Sequence, residues 1–113
     1  MVKHAPAEPS ATIRERVEKA RGVQQARLKE SGFFCNAEIP AHAVRVHCPL
    51  DDSALRLLAS ACAQRHFSAR ALDRIARVSR TIADLADCAD IRTEHVAEAI
   101  QYRSLERLDS RAA

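Results

Sequence analysis

Residues 68–85, SARALDRIARVSRTIADL, place Ile75, Val78, Ile82 and Leu85 at the three- and four-residue intervals of one helical face. Ser68 stands where a side-chain oxygen can cap the first turn, and the pattern predicts a helix running to about Ala86. Arg70, Arg74 and Arg77 fall within about 60° of one another on a stripe beside the apolar one, at 100° per residue.

The segments on either side also read as helical. After Pro49, Asp51 and Asp52 can cap a helix in which Leu55, Leu58, Ala59 and Cys62 recur at i, i+3, i+4 and i+7, predicting that face as core. Another helix begins at about Thr93, with Val96, Ala99 and Ile100 turned inward. The intervening loops are a few residues long, which favours antiparallel packing of neighbours. Pro40 and Pro49 leave room for only a short helix around Ala41 to Arg45. Near the N-terminus, Thr12 and Glu15 have capping-box spacing. Ile13, Val17, Ala20 and Val23 form a sparse apolar track there, and Gly32 is a stop. The expected fold is all-α, a small bundle of four main helices plus a short connecting helix. Its domain is expected over residues 11–108, between flexible tails at 1–10 and 109–113.

Composition agrees with this reading. A chain of 113 residues can bury one modest core. With 47% hydrophobic and 29% charged residues it is too apolar for disorder, and two glycines are too few for a turn-rich β-sandwich or barrel. The net charge of +3 is spread among fifteen acids, which permits nucleic-acid binding without arguing for it. No apolar run approaches the roughly 20 residues that span a bilayer, and MVKHAPAEPS has no hydrophobic signal core. The expected location is cytoplasmic, with no membrane partner.

Catalytic chemistry by this chain alone finds no support in the sequence. Cys35, Cys48, Cys62 and Cys88 lack the close pairing that zinc ligands need and are expected as free thiols packed as small hydrophobes; no metal site is expected. His47 adjoins Cys48, but neighbouring side chains diverge and make a poor nucleophile–base pair. Gly22 and Gly32 stand apart, so no phosphate loop exists. Asp84 and Asp87 are compatible with an acidic pair but read more simply as a solvated face.

The arginines admit two readings. They can be solvated cations along the bundle edge, or they can await an anion. Arg70 lies in the first turn, where free backbone N–H groups and the helix dipole also favour negative charge.

SARALDRIARVSRTIADL followed by IRTEHVAEAIQYR, with IRERVEKAR, Asn36 and HCPLD upstream, resembles the C-terminal domain of magnesium-chelatase-like AAA+ ATPases of the ComM/YifB type. The resemblance implies a helical lid over a nucleotide bound in an AAA+ core of the same chain. S-x-R at the start of the long helix resembles the second-sensor motif, making Arg70 the γ-phosphate contact, with a weaker transfer to Arg74. Thr81, Asp84 and Tyr102 match the family pattern as packing and polar anchors. ATP and Mg2+ are implied for the longer protein and no cofactor for this chain alone. Neighbouring subunits of a hexameric ring and DNA, in branch migration, are the implied partners. A magnesium-chelatase motor subunit of tetrapyrrole biosynthesis and an independent helical nucleic-acid-binding module remain the alternatives.

Overall fold

The computed structural model describes the backbone of residues 10–112 and the side chains of residues 10–104. Over these residues the chain forms α1 (Ser10–Leu28), α2 (Val44–His47), α3 (Asp52–Arg65), α4 (Ala69–Leu85) and α5 (Thr93–Ala112). Short 3-10 turns at Lys29–Ser31, Asn36–Glu38 and Ala41–Ala43 fill the long connection between α1 and α2. The described residues contain no strand, only an isolated parallel bridge between Leu50 and Ile91 that ties the approach to α3 to the approach to α5. The four-plus-one helical reading therefore holds.

Two helix starts follow from their caps. An Asp51 carboxylate oxygen accepts from the Ala54 N–H at 2.8 Å, and Ser68 Oγ accepts from the Ala71 N–H at 3.1 Å. Each contact satisfies a donor that has no partner within its helix, worth about 1 kcal/mol. Gly32 ends the first helical segment in the left-handed conformation, φ 83°, which glycine adopts without a Cβ penalty. The Thr12–Glu15 capping box does not form the helix start, because α1 is already under way at Ser10. At the other end α5 runs to Ala112, so residues 109–112, expected as tail, continue the helix. Of the expected N-terminal tail, residues 1–9 lie outside the described residues.

Packing corrects the predicted faces. The helix α5 packs against both α4 and α3, while α4 also meets α1 and the Asn36–Glu38 turn. Thus α3 rests mainly on α5 rather than on its sequence neighbour α4. It buries Ala54, Leu58 and Ala61, leaving Leu55 49% exposed and Ala59 exposed. The predicted face is rotated by about one residue, because small alanines present a flat surface against which α5 can lie closely. On α5, Val96, Ala99 and Ile100 are buried as their spacing predicts. Along α1 only Ala20 of the predicted track is buried; Gln24 and Leu28 complete the contact face.

Candidate functional site

The long helix α4 is buried on an arc of roughly 220°, reckoned at 100° per residue. Ala71, Ile75, Ala76, Ser79, Arg80, Ala83 and Asp84 define this arc. Of the apolar stripe read from the sequence, Ile75 is fully inside, whereas Val78, Ile82 and Leu85 are half-buried. The remaining arc carries the three arginines. Arg70 is exposed in the first turn, and its side chain makes no hydrogen bond or ion pair among the described residues. Arg74, one turn on, is also exposed. Arg77 differs: it is half-buried and donates through Nη1 to the Ile39 carbonyl at 3.1 Å, securing the end of the Asn36–Glu38 turn. The apparent triplet therefore comprises two exposed cations and one structural tie.

Beneath that face lies an ionic cluster centred on Asp84, and here the solvated-face reading is wrong. The Asp84 side chain is 0% exposed. Arg27 approaches it in a fork, Nη2 to Oδ1 at 2.6 Å and Nη1 to Oδ2 at 3.3 Å. Arg80, four residues earlier on α4, donates through Nε to Oδ1 at 3.1 Å and brings Nη2 within 2.9 Å of the same oxygen. Its other donors reach the carbonyls of Ala89 at 2.9 Å and Cys88 at 2.8 Å. Asn36 Nδ2 donates to Asp84 Oδ2 and Thr81 Oγ1, each at 3.0 Å, and the Asn36 N–H donates to Gln24 Oε1 at 3.2 Å. One buried carboxylate thus joins α1, the Asn36 turn and α4, and through Arg80 it reaches the loop after α4. Burial is tolerated because charge-assisted hydrogen bonds occupy both carboxylate oxygens.

The family-pattern residues Thr81 and Asp84 act here as anchors. Tyr102 is exposed on α5, where its hydroxyl donates to Glu98 Oε2 at 3.2 Å and the nearby carboxylate raises the phenol's pKa above its ordinary value. Asp87 is exposed at φ 60° and pairs with Lys19 at 2.9 Å, well apart in character from buried Asp84. His95, buried at the start of α5, accepts the Arg92 N–H through Nδ1 at 2.9 Å and so serves the backbone. Sequence reasoning missed Arg27 and Arg80 altogether. The i, i+4 spacing of Arg80 and Asp84 was the available signal.

All four cysteines are free thiols, with Cys48 buried and the others half-buried. Among the described residues no three His, Cys, Asp or Glu side chains stand together as metal ligands. Burial pushes the Cys48 thiol up from 9.0 to about 11, although Arg80, Arg27 and Arg77 pull it the other way. A thiol at that value stays protonated at neutral pH, so Cys48 is expected to be the slowest cysteine to alkylate in the native protein. Mass-spectrometric mapping at pH 7.5 checks this; labelling of Cys48 ahead of the other three contradicts it. The same shift predicts a stability change at high pH. The unfolded thiol releases its proton near 9 while the folded one holds it to about 11, so stability falls as pH rises through that window.

The family described as "Magnesium chelatase, subunit ChlI C-terminal" matches residues 7–103. "Competence protein ComM" of Haemophilus influenzae is 39% identical over 101 residues, covering 89% of this chain and 19% of that protein. "Uncharacterized protein YifB" of Escherichia coli is 34% identical over 103 residues, covering 91% of this chain and 20% of that protein. The chain therefore spans about a fifth of the length of these relatives. No solved structure matches it significantly. With the match running from α1 into α5 and taking in both the arginine face and the Asp84 cluster, the chain belongs to the magnesium-chelatase ChlI C-terminal family, as the C-terminal domain of the ComM/YifB type.

Proposed function

We propose that this domain is the helical lid of a longer AAA+ ATPase and that Arg70 is its second-sensor arginine, answering to the terminal phosphate of ATP held in the core of the same chain. The observation that carries the reading is the exposed position of Arg70 at the start of α4, beside the Ser68 cap and without a partner among the described residues. A planar guanidinium suits phosphate oxygens, and the positive end of α4 favours the same anion. Arg74 continues the exposed face and is the weaker candidate for a phosphate or a neighbouring subunit of a hexameric ring.

ATP brings the scissile phosphate anhydride, and Mg2+ neutralises its charge. In this reading the domain meets the phosphate through Arg70, and the ligands of Mg2+ come from the core. The 113-residue chain alone is expected to hydrolyse no ATP. Hydrolysis that stays with it through stringent purification contradicts this.

Loss of the phosphate removes Arg70's partner and frees the lid to rotate on its core. In a cytoplasmic ring, that motion would drive DNA remodelling by branch migration, a reading favoured by the relative named as a competence protein. The family description favours a second reading, a motor for metal insertion into a tetrapyrrole. Assaying the full-length protein for ATP-dependent branch migration and for porphyrin metallation separates the two. Replacement of Arg70 tests the sensor role common to both.

A further inference from the structure

The first helix meets the other helices chiefly through α4, and its grip is narrow. Of the α1 side chains only Ala20, Gln24 and Leu28 are buried, and every residue from Ser10 to Lys19 is exposed. Charge supplies the rest of the joint. Arg27 forks onto the fully buried Asp84 carboxylate at 2.6 and 3.3 Å, and Lys19, about two turns earlier, reaches Asp87 at 2.9 Å. The Lys19 pair is exposed and contributes little, so the fork is what fastens α1. Asp84 does not depend on that fork, since Arg80 and Asn36 also donate to its carboxylate.

This joint grips α4 near its C-terminal end, whereas Arg70 stands in its first turn. Asp84 lies 14 positions after Arg70, about 21 Å along the helix at 1.5 Å per residue. A pivot of about 5° at Asp84 would carry the first turn through about 2 Å, enough to break a hydrogen bond of ordinary length. In a C-terminal domain of the ComM/YifB type the rest of the longer protein precedes α1, so the α1–α4 joint stands between that remainder and Arg70. We infer that Arg27 is a positioning residue for Arg70: its fork to Asp84 fixes the angle of α4 on α1 and so holds the first turn of α4 in register with the nucleotide, a role that presupposes Arg70 at the phosphate. Apolar contact through Ala20 and Leu28 sets a distance between the helices; two directed N–H donors on one carboxylate also set an angle.

ATP hydrolysis by the full-length protein tests this in a double-mutant cycle. Arg27→Gln is expected to slow turnover about three- to tenfold when Arg70 is present, and to cause no further loss, within about twofold, in the Arg70→Ala background. Arg27→Lys keeps a cation at Asp84 without the fork, and its rate should lie between wild type and Arg27→Gln. Because Arg80 and Asn36 still hold Asp84, the melting temperature of Arg27→Gln should fall by only a few degrees. Ile100→Val, a loss of volume in the core beneath α5, controls for lowered stability and should leave hydrolysis unchanged. Wild-type turnover by Arg27→Gln beside slow turnover by Arg70→Ala overturns the positioning role and leaves the sensor reading intact. Equal losses in both backgrounds, or a matching loss in Ile100→Val, reduce Arg27 to a structural tie, and normal turnover by Arg70→Ala removes both readings. Should Arg27→Gln not fold, the same cycle with Arg27→Lys decides: a loss seen only when Arg70 is present supports the inference, and no loss or an equal loss in both backgrounds overturns it.

Discussion

In the full-length protein, Arg70→Ala is expected to slow ATP hydrolysis by about ten- to over a hundredfold while the melting temperature of the domain stays almost unchanged. The rate effect follows from a charged hydrogen bond to phosphate, worth roughly 1.5–3 kcal/mol, if that bond is realised in the transition state. The unchanged stability follows from position: an exposed first-turn arginine without a partner among the described residues leaves neither a cavity nor an orphaned charge when truncated. Arg70→Lys keeps the charge but loses the planar fork, so its rate should fall between those of wild type and alanine. Arg77→Ala provides the internal contrast. Losing its bond to the Ile39 carbonyl should lower stability by about 1 kcal/mol and affect hydrolysis less than Arg70→Ala. Normal hydrolysis by Arg70→Ala, or a loss traceable to unfolding, returns Arg70 to the role of a solvated edge cation.

The contrast between Arg70 and Arg77 also marks what the sequence could and could not convey. Helical period and cap chemistry are local properties, so Asp51, Ser68, Gly32 and the inner face of α5 were legible. The orientation of α3 was not. Leu55 and Ala59 belong to one apolar stripe and Ala54 and Ala61 to another, with Leu58 common to both, and only the position of α5 selects between them. In α1 the thin apolar track gave no sign that Gln24 would be buried through a bond to the Asn36 backbone. Charge misled in the same way at α4. Arg80 and Asp84 look like surface residues until Arg27 and Asn36, 57 and 48 positions away from Asp84, close around the carboxylate. The exposed arginine face could be read from one helix; the cluster beneath it required three segments to meet.

That convergence makes Asp84 the side chain whose loss should cost the fold most. Asp84→Ala would leave the Arg80 guanidinium, whose side chain is only 4% exposed, without its counter-charge, and would release Arg27 and Asn36 together. Breaking a buried pair by removing one partner costs about 3–5 kcal/mol, a large fraction of the 5–15 kcal/mol that stabilises a typical domain. At roughly 4 °C or more per kcal/mol, the melting temperature should fall by more than about 10 °C. Carbonyls of Cys88 and Ala89 still accept from Arg80 in the variant, but they satisfy hydrogen bonds without neutralising its charge. A double-mutant cycle separates lost pairing from lost volume: Arg80→Met combined with Asp84→Leu should cost less than the sum of the single changes, because the pair leaves no unbalanced buried charge. Thermal denaturation of the single and double variants at neutral pH is the measurement. A melting temperature for Asp84→Ala within a few degrees of wild type would mean that α1, the Asn36–Glu38 turn and α4 are held by their apolar contacts and that the carboxylate is dispensable.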